Sequence, residues 1–130
     1  MPNIPLLHGK FVQGRAIPRN DASDDQFAFT DDLSFQDDPN FARVGEHSGV
    51  CIRVREAVGN DPGLYQCEAT FKLPDGQVTA RGLVAIPVPV GESNLFAISG
   101  GTDRYDNLRG DVKVTKRSPV KADYEFRTQG

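Results

Sequence analysis

Residues 44–58 read VGEHSGVCIRVREAV, and this stretch decides the fold class because its side-chain character alternates at every second position. One set of alternate positions holds Val50, Ile52 and Val54, and the other holds Cys51, Arg53 and Arg55. A period of two residues is that of an extended chain, in which successive side chains point to opposite faces. The stretch therefore predicts a β-strand.

The same alternation recurs along the rest of the chain. It is clear in residues 64–72 (LYQCEATFK) and 122–127 (ADYEFR), and Pro74-Asp75-Gly76 predicts a tight hairpin turn between residues 64–72 and a strand over 77–86. Further short strands are predicted within residues 6–13, 27–30, 94–99 and 110–116. Seven or eight strands without a convincing amphipathic helix indicate an all-β fold, either a sandwich or an antiparallel barrel.

Length and composition narrow the class of protein. A chain of 130 residues suits one domain, which we place over residues 1–130. Fifteen Lys and Arg against 18 Asp and Glu give a net charge of −3. The chain therefore lacks the excess of positive charge that attracts a phosphate backbone, and nucleic acid is not an expected partner. The N-terminus does not resemble a secretion signal, and no apolar run approaches a membrane span, so we expect a cytoplasmic protein without membrane contact.

The polar residues predict no established catalytic or metal site. Cys51 and Cys67 are too few for a disulfide scaffold and lack the paired spacing of a zinc site, so reduced thiols and no metal are expected. His8 and His47 are the two histidines, and no triad partner for either stands out. The aspartates at positions 31, 32, 37 and 38 lie among turn formers, which predicts solvated turn residues.

The arginines on the face of Cys51 leave two interpretations open. Guanidinium groups are rarely buried without an anionic partner, so that face is either outside or the lining of a cavity. The pattern alone favours an outside face, with Val50, Ile52 and Val54 directed to the core.

Four stretches carry a resemblance to a known family. They are VGEHSGVCI (44–52), PDGQVTARG (74–82), FAISGGTDRY (96–105) and RGDVKV (109–114). In this order they resemble the allene oxide cyclase barrel superfamily, which includes plant allene oxide cyclases, dirigent proteins and bacterial spirotetronate-forming Diels–Alderases. The resemblance extends from Phe27 to the C-terminus. It implies an eight-stranded antiparallel β-barrel with a hydrophobic lumen open at one end.

The resemblance also reverses the orientation of the first strand quoted above. In plant allene oxide cyclases the cysteine that matches Cys51 points into the lumen, which would put Arg53 and Arg55 inside the lumen or at its mouth. The same alternation in the other strands would line the lumen with Tyr65, Cys67, Ala69, Phe71, Ala80, Val84, Ile86, Phe96, Ile98, Val112 and Val114, and Phe29 matches a lumen aromatic of the bacterial cyclases.

Two departures argue against a simple transfer of activity. Val84 occupies the position of a substrate-shaping tyrosine in the plant enzyme, and the first strand has no glutamate, so allene oxide cyclization itself is not expected. Cys67 occupies the position of the pocket tyrosine in the Diels–Alderases, which leaves that chemistry open as well.

Our hypothesis from the sequence is a cofactor-free cyclase or isomerase of specialised metabolism, acting on a polyene, polyketide-like or fatty-acid-like substrate folded in the lumen. Arg53, Tyr65 and Cys51 are the candidate catalytic residues. The candidate substrate-binding residues are Phe29, Arg55, Cys67, Ala69, Val84, Ile86, Phe96, Ile98, Val112 and Val114. The alternatives are a dirigent-like or carrier barrel that binds a hydrophobic metabolite without catalysis, and a structural barrel with a filled interior.

Two further expectations concern the outside of the barrel. If Cys51 faces the lumen, then Val50, Ile52, Val54 and Leu83 face outwards and need a covering surface, which predicts a homodimer or homotrimer. Residues 15–25 (RAIPRNDASDD) are the candidate lid of the mouth.

Overall fold

The computed structural model describes residues 3–16, 26–37 and 41–129, and these form a closed eight-stranded barrel. The strands are β1 (Leu7–Ala16), β2 (Gln26–Ser34), β3 (Arg43–Arg55), β4 (Gly63–Leu73), β5 (Gly76–Ile86), β6 (Ser93–Gly101), β7 (Arg109–Ser118) and β8 (Lys121–Gln129). Each strand pairs antiparallel with the next one, and β8 pairs with β1 to close the barrel. The eight-stranded antiparallel barrel implied by the resemblance is confirmed. The candidate lid lies largely outside the described residues, since only Arg15 and Ala16 of it are described, at the end of β1.

The two ends of the barrel differ in how they are closed. At one end, which we call the floor, the tight β4–β5 turn predicted at Pro74-Asp75-Gly76 packs beneath a short 3-10 helix, Asp103–Tyr105. Gly76 has φ +144° and lies against the backbone of Thr102, where a side chain would collide, so the turn requires glycine. At the other end, which we call the mouth, residues 56–62, 87–92 and 119–120 connect the strands.

The core fills the floor half of the barrel. Its fully buried side chains include Leu7, Leu33, Phe71, Val78 and Val112, which five different strands contribute. A second, smaller cluster lies nearer the mouth and consists of Cys51, Cys67 and Val84 with partly buried aromatic neighbours. The barrel is therefore solid at the floor and thinly packed towards the mouth.

The orientation of β3 follows the resemblance and not the pattern taken alone. Cys51 is 4% exposed, whereas Val50, Ile52 and Val54 are 39%, 41% and 56% exposed. The interpretation that put these three residues in the core is wrong, because Cys51 lies on the inner face of the closed barrel and the three β-branched side chains lie on its outer face.

Two expectations about polar residues are also wrong. Asp31 is not a solvated turn residue, because β2 continues through it to Ser34 and its carboxylate is buried inside the barrel. The thiols are not reduced, because Cys51 and Cys67 lie directly opposite each other on β3 and β4 and form a disulfide. Cys51 therefore has no free thiol in this structure, and the cytoplasmic assignment loses the support of reduced cysteines. None of the described helical segments has the length and apolar character needed to cross a membrane.

Candidate functional site

The lumen encloses a cavity of about 220 Å³ in the mouth half of the barrel. Eleven of the residues that were predicted to face the lumen line this cavity, namely Phe29, Cys51, Cys67, Ala69, Phe71, Ala80, Val84, Ile86, Phe96, Val112 and Val114, whereas Tyr65 and Ile98 do not. Phe27, His47, Val88, Asn94, Lys116 and Tyr124 complete the lining. Most of these side chains are apolar, which is typical of sites for small hydrophobic molecules.

Strand register explains why this half is hollow. Inward-facing residues of neighbouring strands lie in rows, and one row runs through Phe29, Gly49, Ala69 and Ala80 on β2 to β5. A Cβ atom at Gly49 would lie 2.6 Å from that of Ala69, so the wall accepts no larger residue there. Because three of the four residues have small side chains, the centre of the barrel remains open at this level.

The next row towards the mouth contains the disulfide. It runs through Phe27, Cys51, Cys67 and Gly82, so the bridge forms part of the cavity wall between β3 and β4. Both half-cystines are buried from bulk solvent. The bridge therefore joins the wall strands covalently next to the row at which the barrel is open.

A polar cluster forms the inner end of the cavity, on the side of the barrel floor. Asp31, His47, Phe71 and Val78 make up the row on the floor side, and Tyr124 of β8 reaches across the lumen to the same place. The Tyr124 hydroxyl donates to Asp31 Oδ2 at 2.7 Å, and His47 Nδ1 lies 3.2 Å from that oxygen and 3.2 Å from the hydroxyl. A histidine, a carboxylate and a phenol thus share one buried hydrogen-bonded triangle.

Aromatic rings hold the His47 imidazole in a defined orientation. Its ring stacks on Phe71 with the centroids 4.1 Å apart and the planes within 9°. The rings of Phe29 and Tyr124 meet it edge to face at 5.2 Å and 4.8 Å. The imidazole therefore has little freedom to turn away from Asp31.

The protonation of the cluster follows from burial and charge. Burial and then the neighbouring Asp31 carboxylate raise the pKa of Tyr124 well above the usual value near 10, so the phenol stays neutral and acts as a donor. A carboxylate only accepts hydrogen bonds, so a bond from His47 to Asp31 requires the tautomer with its hydrogen on Nδ1, in which Nε2 carries no hydrogen. Among the described residues no group bonds to Nε2, and His47 lines the cavity.

The remaining predicted site residues lie at the rim or below the cavity. Arg53 and Tyr65 are cross-strand partners near the mouth, and Arg53 Nη2 lies 3.8 Å from Glu56. Arg55 is exposed beside Asp61, and Ile98 packs against the floor core. None of Arg53, Arg55, Tyr65 and Ile98 is among the lining residues of the cavity.

Sequence reasoning missed the His47 cluster, although part of its signal was present. His47 is four residues before Cys51 and Asp31 is two residues after Phe29, so each shares the inward face of a predicted lumen residue. The missing information was the strand register, which alone brings Asp31 opposite His47.

Polar groups also occur at the mouth. Asn94 and Lys116 line the cavity there, and Lys116 also lines an adjoining cavity of about 320 Å³. The two cavities share Phe27, Phe29, Val88, Val114 and Lys116, so they form two compartments of one lumen. In the described part of the chain no group of three or more His, Cys, Asp or Glu side chains is arranged to hold a metal ion.

The fold occurs in solved structures of known proteins. A pyocyanin demethylase matches 94% of this chain and 98% of its own, with a TM-score of 0.70 and 26% identity. Two pterocarpan synthase dirigent proteins match 93% and 96% of this chain and 82% and 94% of their own, with TM-scores of 0.70 and 0.66 and 14% identity each. No protein-family model and no curated protein matches the chain.

Proposed function

We propose that this chain, a closed eight-stranded barrel that resembles those of the allene oxide cyclase and dirigent superfamily, is a cofactor-independent isomerase or cyclase of specialised metabolism. The observation that carries the proposal is the His47, Asp31 and Tyr124 triangle at the floor of an otherwise apolar cavity. The enzyme holds a small hydrophobic substrate in a reactive conformation, and His47 moves a proton on it.

Cavity size limits the substrate. Sites for drug-sized ligands usually measure about 300–1,000 Å³, and the inner compartment has about 220 Å³. A compact ring system fits this compartment, whereas a long acyl or polyene chain would have to extend into the adjoining compartment of about 320 Å³. The apolar wall contributes by orienting the substrate, since positioning alone can remove several kcal/mol of an intramolecular barrier.

Each member of the triangle has a separate role in this proposal. His47 Nε2 accepts a proton from the bound substrate and returns it at another atom, which isomerises the substrate or starts ring closure. Asp31 orients the imidazole and stabilises its cationic form. Tyr124 donates its one hydroxyl hydrogen to Asp31, which holds the carboxylate in place beside the imidazole.

The test is a turnover assay in D₂O. The purified protein is incubated with a small-molecule extract of its producing organism, and new or isomeric compounds are identified by mass spectrometry with their deuterium content. We expect a compound whose formation depends on the protein and which gains deuterium at carbon. His47→Gln should slow its formation by at least about 100-fold, the usual lower range for loss of a general base.

The chain supplies a matched control in its second histidine. His8 bonds Asp123 at 2.7 Å and does not line the cavity, so His8→Gln should leave the rate unchanged. Asp31→Asn, which preserves shape, should reduce the rate as well. Equal rates for His47→Gln and the unchanged protein, with both folded by circular dichroism, would overturn proton transfer by His47.

Demethylation of a compact ring compound is a second candidate. It is favoured by the 26% identity over nearly the whole chain to a pyocyanin demethylase and by the small inner compartment. Pyocyanin itself is the probe. Its N-methyl carbon would leave as formaldehyde with oxygen from water, and the phenazine ring would take up the two electrons and two protons, so formation of formaldehyde and of the reduced demethylated ring in the presence of the protein would select this activity. A dirigent-like barrel is the non-catalytic alternative, and it would change the stereochemistry of a product without changing the rate of its formation.

A further inference from the structure

We infer that Lys116 is the anchor for a single carboxylate on the ligand, so that the lumen takes an apolar ring compound with one anionic group directed to the mouth. This inference deepens the proposed function and rests on it for the position of the reacting end. It names the ligand class by charge and by orientation.

The strand places Lys116 on the inner face. Val112, Val114 and Lys116 occupy alternate positions of β7, and all three line the inner compartment. The backbone of Lys116 is fixed by two hydrogen bonds to the mouth connection, from its N–H to the Glu92 carbonyl at 3.0 Å and from the Gly91 N–H to its own carbonyl at 2.7 Å. The backbone of Lys116 is therefore held in place at the entrance of the lumen, and its side chain extends from this fixed position.

The charge of Lys116 has no counterpart in the described part of the chain. Of the described residues that line the inner compartment, Lys116 alone carries a permanent positive charge, and no described carboxylate lies within ion-pair distance of it. Lys121 also lines the outer compartment, but its Nζ lies 3.5 Å from Asp37. A half-buried ammonium beside apolar walls interacts with an anion more strongly than one in open water.

The number of charges favours a carboxylate. One ammonium balances one negative charge, and Asp31 at the inner side of the outer compartment repels a ligand of higher charge. Multiply charged groups such as phosphates are usually held by several donors, often arginine forks or backbone amides. With its carboxylate at Lys116, a compact ring points its other end to the floor and to His47.

The experiment compares two probes of the same shape by isothermal titration calorimetry, 1-naphthoate and its neutral amide, 1-naphthamide. The unchanged protein should bind the naphthoate about ten-fold more tightly, the usual gain from one charge-assisted hydrogen bond. Lys116→Met should bind both probes alike, and Lys116→Arg should keep the preference. Lys121→Met is the matched control and should keep it too, because Lys121 is paired with Asp37.

Each outcome decides the inference. Equal affinities in the unchanged protein, or a preference that survives Lys116→Met, would overturn the anchor. Binding is measured without turnover, so a preference for naphthoate combined with an active His47→Gln variant would reject proton transfer by His47 and retain the anchor. Turnover that depends on His47 without any preference would reject only the anchor. If neither probe binds, the anchor is overturned, and the turnover assay with His47→Gln decides the proposed function separately.

Discussion

The two halves of the barrel are built from the same alternating strands but differ in the size of the residues that point inwards. In the floor half the row through His47 and Phe71 is continued by Val78, the two rings stack, and all three side chains are buried. In the mouth half the corresponding row holds Gly49, Ala69 and Ala80, which leave a cavity. Alternation thus determines that a barrel forms, whereas side-chain volume determines where it is hollow.

The two halves have different tasks: the packed floor half stabilises the barrel, and the hollow mouth half provides the binding cavity. The floor half is closely packed with aromatic and aliphatic side chains and holds the polar triangle in place. In the mouth half fewer side chains pack together, and a disulfide joins the wall strands β3 and β4. A rigid base beneath a shaped cavity is the arrangement that a site with positioned groups requires.

The largest expected effect is the loss of Phe71. Phe71→Ala should lower the free energy of unfolding by about 3–5 kcal/mol, because Phe71 is 2% exposed and its ring packs against His47, Tyr124 and Phe126 in the large floor core. Val84→Ala in the mouth half should cost only about 1.5 kcal/mol, the transfer free energy of the two removed carbons, because Val84 belongs to the small cluster around the disulfide. Urea unfolding followed by circular dichroism measures both, and equal losses would contradict the division into a solid and a hollow half.

Removal of the disulfide should have the next largest effect. The bridge closes a segment with a sequence separation of 16 residues, for which chain entropy predicts a stabilisation of about 3 kcal/mol. The double variant Cys51→Ala, Cys67→Ala should lose about this amount in the same urea assay. Addition of a reductant should weaken the unchanged protein similarly and leave the double variant unaffected. An unchanged protein that is insensitive to reductant would show that the bridge does not support the mouth half.

The third prediction concerns pH and the floor. Burial and Asp31 raise the pKa of Tyr124 well above its usual value near 10, so above pH 10 the phenol ionises in the unfolded chain before it ionises in the folded one. The unfolded state is then favoured, and the free energy of unfolding should fall by up to about 1.4 kcal/mol per pH unit from this residue. Below pH 10 both states are protonated, and the contribution is constant.

Tyr124→Phe should remove this part of the slope. The measurement is urea unfolding at a series of pH values between 8 and 11, for the unchanged protein and the variant. A smaller slope remains in the variant, since burial also raises the pKa of Tyr105. If both proteins lose stability at the same rate above pH 10, Tyr124 is not buried as a neutral phenol.

The architecture was predictable from the sequence because a period of two survives in most strands. The alternation in residues 44–58 and 64–72 correctly predicted β3 and β4, and Pro74-Asp75-Gly76 correctly predicted the turn between β4 and β5. Asp31 to Ser34 were missed because aspartate and serine usually mark turns. In the barrel they continue β2, where Asp31 is held by His47 and Tyr124 and not by solvent.

The site was predictable only as far as it depends on one strand at a time. Inward-facing apolar residues such as Ala69 and Val84 followed from alternation and the family resemblance. The disulfide and the triangle depend on which residues of two strands are opposite each other, as with Cys51 and Cys67. Register results from the closure of the whole barrel, so local spacing does not reveal it.

The smallest expected effect on stability tests the outer wall of the hollow half. Ile52, Leu83 and Leu95 lie exposed on the outside of β3, β5 and β6, at 41%, 53% and 52%. An apolar outer surface favours contact with a second copy of the chain, so we propose a dimer or trimer formed through this wall.

Light scattering should then give two or three times the chain mass of 14.2 kDa. Ile52→Glu should reduce it to one chain while changing the stability of the barrel by no more than about 0.5 kcal/mol, because the side chain is outside the core. Val90→Glu, at an exposed position of the mouth connection, is the matched control and should leave the mass unchanged. An unchanged protein with the mass of one chain would show that the outer wall of the hollow half faces water.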